Sequence, residues 1–564
     1  MTDLTDGNAT FYWTSTFFRS LQKTGVKHII ISPGSRSTPL TLAAAANNHF
    51  QKHIILDERS AAFTALGIGK STNVPPVLIC TSGTALANYF PAVIEARQSG
   101  IPLILATADR PPYLRATGAN QATDQFKLFG DYPVFFHEVG EPNMDENDLS
   151  RLKMLARQAV SSSREQRGPA HLNFPFRKPL EPKPDFLQQV TNKDTTPNKT
   201  TASTLSVSEI KLSGRITQTV ESARKPLIII GPTAPLDDMN SISKLADKLN
   251  CPILSESAIK STNTIMGFTG FLRNEPLLNK LEPDLILRFG FQPTSKSLEI
   301  GLKNWNPDWH FHFASTHSWQ DATCSQAEHI PWMGQPFKIE AFSSSTERKW
   351  LQNWQKEERN FKSHAQNAIS KSSSLTDGSV YHHLTPQIPE EQFIMVSNSF
   401  PARDILLFGQ YQSASPLFLN RGVSGIDGIT SSAFGISIGL QKPGILFTGD
   451  LAFLHDTNAL LNHKLVNHPL TIIVINNGGG SIFRILPVEQ HKKYFRPYFE
   501  TPQSADIEKL VGTYNISYHR IDSVNELLGF DLPKWQNSHP GVSVIEIHTN
   551  ADASIQLRKR LWGF

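Results

Sequence analysis

At 564 residues the chain is too long for a single hydrophobic core, and typical domain sizes predict three or four domains. Hydrophobic residues make up 39% of it and charged residues 18%, which is ordinary for a globular protein and excludes a disordered or fibrous chain. The net charge of +4, with both signs interspersed, argues against nucleic-acid binding, and no stretch reaches the ~18 consecutive apolar residues of a membrane span.

The first part of the chain alternates short apolar runs with segments of helical periodicity. Polar loops follow the apolar runs, and the first three of these loops lead into helices. This alternation predicts a doubly wound α/β domain over residues 1–182. The predicted strands are 26–32, 53–56, 77–81 and 103–107.

Two polar stretches divide the rest of the chain. Residues 183–207 contain proline and lack periodicity, and residues 361–379 are rich in serine, so both are predicted to be linkers. They bound a central α/β domain, 208–360, and a third domain, 380–564. The predicted strands are 226–230, 252–254 and 285–289 in the central domain and 393–396, 416–419, 445–448 and 470–475 in the third.

Residues 449–483 carry the most informative pattern, a strand, a helix (451–465) and a second strand that ends at a glycine loop. Both strands of a right-handed βαβ unit point the same way, so Asp450 and Asn477 are expected at the same carboxyl edge of the sheet. A carboxylate, an amide oxygen and the Gly479 carbonyl are hard oxygen donors that suit Mg²⁺ with a diphosphate. Each piece alone is also compatible with an ordinary turn.

Taken together, Gly449-Asp450 and Asn477 at this spacing resemble the motif of thiamine diphosphate (ThDP)-dependent enzymes. The resemblance implies three doubly wound α/β domains, with ThDP and Mg²⁺ (or Mn²⁺) as cofactors. It also implies that Glu58, after the second predicted strand, hydrogen-bonds the aminopyrimidine ring. By itself, Glu58 could be an ordinary first-turn carboxylate complementing a helix dipole.

Further segments narrow the resemblance to one family. Residues 31–40 (ISPGSRSTPL), 107–112 (TADRPP), 118–121 (GANQ) and 420–428 (NRGVSGIDG), with Ser399 and Arg403, resemble the 2-succinyl-5-enolpyruvyl-6-hydroxy-3-cyclohexene-1-carboxylate synthases of menaquinone biosynthesis. The matches span the first and third domains, whereas the central domain matches weakly.

The family resemblance implies a reaction between two anionic substrates. 2-Oxoglutarate loses CO₂, and the succinyl carbanion adds in conjugate fashion to isochorismate. Each substrate has two carboxylates, so its site needs several cations, for which arginine is well suited.

The residues that match the family's motifs fall into three groups. The implied catalytic residues are Glu58, Arg36, Gln121, Ser399, Arg403 and Arg421. The implied substrate-binding residues are Ser35, Arg36, Arg110, Asn120, Gln121, Lys296, Arg403 and Arg421. The implied cofactor-binding residues are Glu58, Ile426, Gly449, Asp450, Leu451, Asn477, Gly479, Ile482 and Phe483, with Asp450, Asn477 and Gly479 on the metal.

Several of these residues have simpler interpretations. Any one of the arginines alone would suit a surface salt bridge, and Ile426, Ile482 and Phe483 could be ordinary packing residues rather than the cofactor pocket. The central domain also departs from the family pattern, because some relatives have arginine after the lysine where this chain has Ser297. That leaves open which residue, if any, replaces the arginine contact.

In this superfamily, the first domain of one subunit faces the third domain of another. The resemblance therefore implies a homodimer, or a dimer of dimers, with active sites at the interface. The chain start lacks the features of a signal peptide, and three cysteines without disulfide spacing suit the reducing cytoplasm.

Two alternative functions remain open from the sequence. One is another ThDP-dependent 2-oxoacid decarboxylase or carboligase, such as acetohydroxyacid synthase acting on pyruvate. The other is a catalytically inactive subunit with the ThDP fold.

Overall fold

The computed structural model describes residues 6–193, 209–210, 212–232, 238–314, 321–338, 343–411 and 414–563. It contains three parallel sheets, each with helices around it, so the predicted α/β fold class is confirmed. None of the described helices combines the length and the apolar character needed to cross a membrane.

The first sheet has six strands in the order β2-β1-β3-β4-β6-β5, all parallel. Its elements are α1 (Asp6–Gln22), β1 (His28–Ile31), α2 (Thr38–Ala46), β2 (Gln51–Ile54), α3 (Glu58–Thr72), β3 (Val77–Cys80), α4 (Phe90–Gln98), β4 (Leu103–Asp109), β5 (Phe135–Glu138), α5 (Glu146–Glu165), β6 (Pro169–Pro175) and α6 (Pro184–Lys193).

The second sheet has five parallel strands in the order β11-β10-β9-β7-β8. Its elements are α7 (Gly214–Ser222), β7 (Pro226–Ile230), α8 (Met239–Leu249), β8 (Ile253–Ser255), α9 (Phe268–Phe271), α10 (Glu275–Lys280), β9 (Leu285–Phe289), α11 (Lys296–Asn304), β10 (Trp309–Ala314), β11 (Glu328–Pro331) and α12 (Trp350–Ser370).

The third sheet has six parallel strands in the order β13-β12-β14-β15-β17-β16. Its elements are α13 (Asp377–Leu384), β12 (Phe393–Val396), α14 (Phe400–Phe408), β13 (Leu417–Leu419), α15 (Ile429–Leu440), β14 (Gly444–Gly449), α16 (Asp450–His455), β15 (Leu470–Asn476), α17 (Lys492–Phe495), α18 (Ile507–Gly512), β16 (Ser517–Ile521), α19 (Val524–Gly529), α20 (Leu532–Ser538), β17 (Val542–His548) and α21 (Ala551–Trp562).

These elements form two compact units. The first comprises Met1–Leu205, Asn420–Gln441 and Asp456–Leu465, and the second comprises Ser206–Leu419, Lys442–His455 and Val466–Phe564. The first unit therefore contains α15, which packs against α3 through two glycines. A Cβ on Gly67 would lie 2.1 Å from the Ser432 carbonyl oxygen, and one on Gly435 would lie 2.0 Å from the Thr64 carbonyl oxygen.

The predicted linkers contain more structure than their polarity suggested. Helix α6 occupies the start of the first, and residues 194–208 lie outside the described part of the chain. The prediction that residues 361–370 belong to a linker is wrong, because they form the second half of α12. Phe361, Ala365 and Ala368 recur at helical spacing there and are buried. The domain boundaries themselves stay predictions.

The helix predicted over residues 451–465 is broken. Helix α16 ends at His455, and Thr457–Leu465 is a 3₁₀ helix. Between them, the buried carboxylate of Asp456 accepts hydrogen bonds from the main-chain N–H of Ser431, at 2.7 Å, and from its hydroxyl, at 3.1 Å. Asp456 thus caps the first turn of α15, which has only Gly428 at its own N-cap. This cap holds residue 456 outside a continuous helix.

Candidate functional site

Asp450 lies where the sequence placed it, directly after β14 and at the start of α16. Its side chain is buried, and its carboxylate accepts main-chain hydrogen bonds from Leu451 and from Gly479. Burial raises the pKa of this carboxyl to about 6 despite those hydrogen bonds. A buried carboxylate without a cationic partner is costly in this way, and a bound metal ion would relieve the cost.

The glycine loop after β15 brings the second predicted ligand to the same edge. Gly479 has a φ of +119°, and a Cβ at this position would lie 2.2 Å from the Glu500 carbonyl oxygen. The same oxygen accepts the N–H of Gly480 at 2.7 Å, which fixes the loop. Within the loop, the Asn477 amide nitrogen donates to Asp377 at 3.2 Å.

This donor set suits a hard divalent cation. It offers one carboxylate from Asp450, one amide oxygen from Asn477 and the main-chain carbonyl of Gly479, all at one sheet edge. Across the described residues, no group of three or more His, Cys, Asp or Glu side chains could hold a metal. The predicted set is of a different kind, because it contains only one carboxylate.

Two of the predicted cofactor-pocket residues follow the glycine loop. Ile482 and Phe483 are half-buried in the 3₁₀ helix Ser481–Ile485. The ring of Phe483 packs edge-on against that of Phe499, with centroids 6.1 Å apart. These contacts agree equally with ordinary packing and with a pocket wall, so the cofactor role stays a prediction.

Glu58 belongs to the first unit and is the first residue of α3, just beyond β2. Asp57 caps the helix by accepting the N–H of Ser60 at 3.1 Å, and the Glu58 carboxylate accepts its own main-chain N–H. The Glu58 side chain is half-buried, and burial is the main cause of its raised pKa. This carboxyl is therefore more readily protonated than an ordinary glutamate.

Two buried, uncharged side chains, Cys80 and Tyr89, lie near Glu58. Burial raises the pKa of both the Cys80 thiol and the Tyr89 hydroxyl, and the charge of Glu58 contributes to each shift. Cys80 is the last residue of β3, and Tyr89 is the last residue of the 3₁₀ helix Leu86–Tyr89. Neither belongs to a recognisable motif, so the sequence did not point to them.

Arg36 is almost completely buried at the end of β1. Its main-chain N–H donates to the Thr81 hydroxyl at 3.2 Å, and its guanidinium donates to the Phe176 carbonyl at 2.8 Å. Its Nε has no partner. Burial lowers the pKa of Arg36, and the positive charge of Arg110 lowers it further. The preceding Ser35 is exposed.

The loop after β4 brings the other predicted residues of this edge together. Arg110 donates from Nε and from a terminal nitrogen to the Asn120 carbonyl, at 3.0 and 2.8 Å. The Gln121 amide donates to the Ser82 carbonyl at 2.8 Å, and the Ser82 hydroxyl donates back to the Gln121 carbonyl at 3.1 Å. Gln121 has a φ of +56°, which is unusual for a residue with a side chain.

Arg403 and Lys296 line a common cavity in the second unit. Arg403 donates to the Ser399 carbonyl at 2.7 Å, and burial lowers its pKa. Ser399 has φ 72° and ψ −135°, a strained conformation typical of functional sites. The cavity is lined by Thr269, Arg273, Thr294, Ser295, Lys296, Ser297, Phe400, Arg403, Asp404, Leu406, Leu407 and Trp562.

Arg273 is a cation of this cavity that the sequence did not reveal. Its guanidinium lies 4.2 Å from the centroid of the Trp562 ring, and its buried Nε has no hydrogen-bond partner. Burial lowers its pKa, and the nearby charge of Arg403 lowers it further. Two guanidinium groups that repel each other in this way favour an anion between them.

Three other polar side chains of the cavity are already engaged, whereas the buried Thr294 hydroxyl has no hydrogen-bond partner. Lys296, the first residue of α11, donates to Glu299 at 2.8 Å, and the Ser297 hydroxyl donates to the Thr269 carbonyl at 2.6 Å. Asp404, an acid of the lining, forms a buried ion pair with Arg558. The cavity therefore keeps an excess of positive charge from Arg273 and Arg403.

Arg421 and Ile426 belong to the first unit, in the segment between β13 and α15. Both are half-buried. The Glu95 carboxylate accepts the N–H groups of Gly422 and Val423, at 2.9 and 2.8 Å. On the other side of Arg421, the buried Lys70 donates to the Asn420 amide oxygen at 2.7 Å. Glu95 thus fixes the main chain after Arg421, and Lys70 fixes the Asn420 side chain before it. No sequence motif indicated Lys70 or Glu95.

Two domains of known protein families match this chain. One match contains the carboxyl edge of the first sheet, and the other contains that of the third sheet. Residues 13–128 match the N-terminal TPP binding domain of thiamine pyrophosphate enzymes, and residues 409–547 match the C-terminal TPP binding domain. Thiamine pyrophosphate is the same compound as ThDP. The first match contains Glu58, and the second contains Asp450, Asn477 and Gly479.

Several relatives that match along nearly the whole length have the same name. The chain is 36% identical to the 2-succinyl-5-enolpyruvyl-6-hydroxy-3-cyclohexene-1-carboxylate synthase of Bacillus velezensis, over 98% of this chain and 97% of that protein. It is 34% identical to the enzyme of the same name from Haloquadratum walsbyi, over 98% of both chains. The enzyme of that name from Trichodesmium erythraeum is 36% identical, over 97% of both.

Proposed function

Because this chain belongs to the 2-succinyl-5-enolpyruvyl-6-hydroxy-3-cyclohexene-1-carboxylate synthase family, we propose that it joins 2-oxoglutarate to isochorismate. 2-Oxoglutarate loses CO₂, and the remaining succinyl unit adds in conjugate fashion to isochorismate. The reaction depends on ThDP and serves menaquinone biosynthesis. The observation that carries this proposal is the cation-lined cavity around Arg403.

The cavity suits a substrate with more than one carboxylate. Arg403 and Arg273 contribute two guanidinium groups, Lys296 a third cation, and Asp404 is paired with Arg558. Guanidinium forks bind carboxylates with two parallel hydrogen bonds, and they do so most strongly where water is excluded. Pyruvate, with its single carboxylate, would leave part of this charge unpaired.

Arg273 supplies the cation that some relatives carry at the position of Ser297. Ser297 follows Lys296 on α11 and faces the same cavity, but its hydroxyl is held by the Thr269 carbonyl. Arg273 enters the cavity from the segment between α9 and α10 instead. The cavity thus keeps its charge although the arginine of the family motif is missing.

ThDP, when bound, supplies the carbanion chemistry that removes CO₂ and forms the new carbon–carbon bond. Asp450, Asn477 and the Gly479 carbonyl would hold Mg²⁺, or Mn²⁺, as hard oxygen ligands. Leu451 and Gly449 flank this site, and Ile426, Ile482 and Phe483 line the cofactor pocket. Glu58 would hydrogen-bond the aminopyrimidine ring, and its raised pKa suits a carboxyl that shares a proton with a ring nitrogen.

The other matched residues bind and orient the substrates. Arg403 and Arg421 hold acidic groups near the reacting carbon, with Ser399 beside them. Arg36, Arg110 and Lys296 bind carboxylates of isochorismate. Ser35, Asn120 and Gln121 contact its polar groups, and the hydrogen bonds between the Gln121 loop and Ser82 keep this edge rigid.

Glu58 and Asp450 act across a dimer interface in this proposal. Ile54 and Leu56, immediately before the Glu58 turn, are 55% and 71% exposed in the single chain. Exposed apolar side chains beside a candidate site are typical of a surface that a partner covers. We therefore propose a homodimer or a dimer of dimers, in which the Glu58 edge of one copy meets the Asp450 edge of another.

The cytoplasm is the compartment that suits this reaction. Cys80, Cys251 and Cys324 are free thiols, as expected of a reducing environment.

The test is to incubate the purified protein with ThDP, Mg²⁺, 2-oxoglutarate and isochorismate, and to follow isochorismate by absorbance and the product by mass. We expect loss of isochorismate only when all four are present. Replacement of 2-oxoglutarate by pyruvate is the control for another ThDP-dependent carboligase. Consumption of pyruvate without loss of isochorismate would contradict the proposal.

A further inference from the structure

The two ends of the Asn477 amide differ in what they can bind. Its oxygen accepts hydrogen bonds or ligates cations, whereas its nitrogen only donates. A carboxylate only accepts, so the end that lies 3.2 Å from Asp377 must be the nitrogen. The oxygen is thereby directed away from Asp377 and is available at the sheet edge that also bears Asp450.

Asp377 is itself held firmly. It is the first residue of α13, and its side chain is completely buried. One carboxylate oxygen accepts the Thr549 hydroxyl at 2.5 Å, and the other accepts Arg558 at 2.6 Å. Its main-chain N–H donates to the Ser554 hydroxyl at 2.9 Å. A carboxylate fixed on this many sides can hold the Asn477 amide in one orientation.

Arg558 links Asp377 to the cation-lined cavity. The Arg558 Nε donates to Asp404 at 2.9 Å, and the guanidinium lies over the Phe400 ring, 3.6 Å from its centroid. Asp404 and Phe400 both line the cavity. Two buried carboxylates thus share one guanidinium, but only Asp377 contacts Asn477.

We propose that Asp377 is a positioning residue for the metal, which fixes the Asn477 amide with its oxygen toward the cation. The inference rests on the metal site of the proposed function. Residues that orient metal ligands in this way affect metal affinity nearly as much as the ligands themselves. A purely structural ion pair would instead affect stability without a specific effect on metal binding.

The experiment compares two substitutions that each leave Arg558 with one carboxylate. Mn²⁺ binding in the presence of ThDP is measured from the electron paramagnetic resonance signal of free Mn²⁺, together with thermal unfolding. We expect Asp377→Leu to weaken Mn²⁺ binding about 10- to 100-fold. The matched control Asp404→Leu, which removes no contact to Asn477, should stay within about threefold of wild type while lowering the unfolding temperature comparably.

A conservative substitution separates orientation from charge. Asp377→Asn keeps an oxygen that can accept the Asn477 nitrogen, since the Thr549 hydroxyl can reverse its role and accept the new amide. We expect it to recover most of the lost affinity. Should Asp377→Leu fail to fold, Thr549→Val tests the same idea. It loosens Asp377 and should weaken Mn²⁺ binding about fivefold, the equivalent of one net hydrogen bond.

Equal Mn²⁺ affinities for Asp377→Leu and Asp404→Leu, or an unchanged affinity in Thr549→Val where Asp377→Leu does not fold, would overturn the inference. Because wild type is measured in the same series, this failure is distinguishable from failure of the proposed function. If wild type itself bound no Mn²⁺ with ThDP, the metal site would be wrong, and the role of Asp377 would fall with it.

Discussion

The first and third sheets have the same topology and different chemistry. When the strands of each are numbered from its own start, both follow the order 2-1-3-4-6-5, and all neighbours are parallel. The sequence did not reveal this likeness, because it resides in strand order rather than in identical residues. Each sheet places its candidate residues directly after its first four strands.

The two sheets differ in what those four positions carry. After the first strand, both have an arginine, Arg36 or Arg403. After the third and fourth strands, the first sheet has Ser82 and Arg110, whereas the third has Asp450 and Asn477. One edge therefore offers cations and the acid Glu58, and the other offers oxygen ligands for a metal. A repeated scaffold thus supplies positions, and the side chains at the strand ends decide what is bound there.

The largest effect is expected for Glu58, which follows the second strand of the first sheet. Glu58→Gln keeps the shape of the side chain but cannot exchange a proton with the cofactor ring, so turnover should fall by about 10² to 10⁴. Steady-state kinetics with both substrates measure this loss. The matched control is the adjacent Asp57→Asn, which should lower the unfolding temperature by weakening the α3 cap while retaining most turnover. Wild-type turnover in Glu58→Gln would show that this edge carries no catalytic acid.

The next largest effect is expected for Asp450, which follows the third strand of the third sheet. Asp450→Ala removes the carboxylate of the metal site and should weaken Mn²⁺ binding about 100-fold or more, because the remaining ligands are neutral. Titration of Mn²⁺ in the presence of ThDP measures it. Asp456→Ala, six residues further along, removes another buried carboxylate and should cost stability without changing Mn²⁺ affinity. Similar affinities in the two variants would refute the assignment.

Arg403, which follows the first strand of the third sheet, and the other cations of its cavity should act on substrate affinity. Arg403→Gln removes a half-buried cation and should raise the KM for a dicarboxylate substrate about 10- to 100-fold, as expected for a hydrogen bond to a charged group. Arg273→Gln should have a comparable effect. Lys296→Gln should have a smaller one, since the Lys296 side chain is 55% exposed and already paired with Glu299. A larger effect from Lys296→Gln would reverse this ranking and contradict the cavity's role.

The packing of α15 on α3 can be tested through Gly67. Gly67→Ala would place a methyl group 2.1 Å from the Ser432 carbonyl oxygen, and forcing the two helices apart should cost about 1–3 kcal/mol. Thermal unfolding measures this loss. Gly529→Ala is the control, since a Cβ at the end of α19 would meet no atom within 4 Å. Equal unfolding temperatures for Gly67→Ala and wild type would mean that the contact is not tight.

A pH-dependent effect distinguishes the outer strands of the two sheets. His28 and His53 stack on neighbouring strands β1 and β2, and burial lowers the pKa of each to about 4. The unfolded chain binds these protons near pH 6.5, so the stability from the pair is complete above pH 6.5 and is lost as the pH falls toward 4. The corresponding strands β12 and β13 contain no histidine.

This acid sensitivity can be measured with a double substitution. At pH 5, His28→Leu with His53→Leu should remove roughly 4 kcal/mol, about 2 for each histidine, of the destabilisation that wild type undergoes relative to pH 7.5. Urea unfolding at the two pH values gives the comparison. An identical pH dependence in both proteins would show that the histidine pair is not the cause.

Much of the site could be predicted because it lies in short motifs at strand ends. The buried runs before Asp450 and Asn477 identified the strands, and the parallel topology then placed both residues at one edge. Strand β4 is two residues longer than predicted, because it ends at Asp109 rather than at Thr107. Its side chain is buried and accepts hydrogen bonds from Arg115 and Asn173, so a polar residue continues the strand.

The rest depended on contacts between distant parts of the chain. Arg273 carries no motif and becomes a cavity residue only through packing against Trp562, which is 289 positions away. Asp377 likewise meets Asn477 across 100 residues. The break after His455 follows from the capping of α15 by Asp456, which local periodicity does not encode. Long-range polar contacts of this kind leave no local pattern to read.

Mixing two inactive variants tests the central claim most directly, namely that the first-sheet edge of one copy and the third-sheet edge of another form one site. Glu58→Gln and Asp450→Ala would be mixed, dissociated and reassembled, and turnover compared with each variant alone. A mixed dimer has one site with both residues intact, so random reassembly should restore about a quarter of wild-type turnover. If turnover stays at the level of the separate variants although mixed dimers form, both edges must come from the same chain, and the account would be wrong.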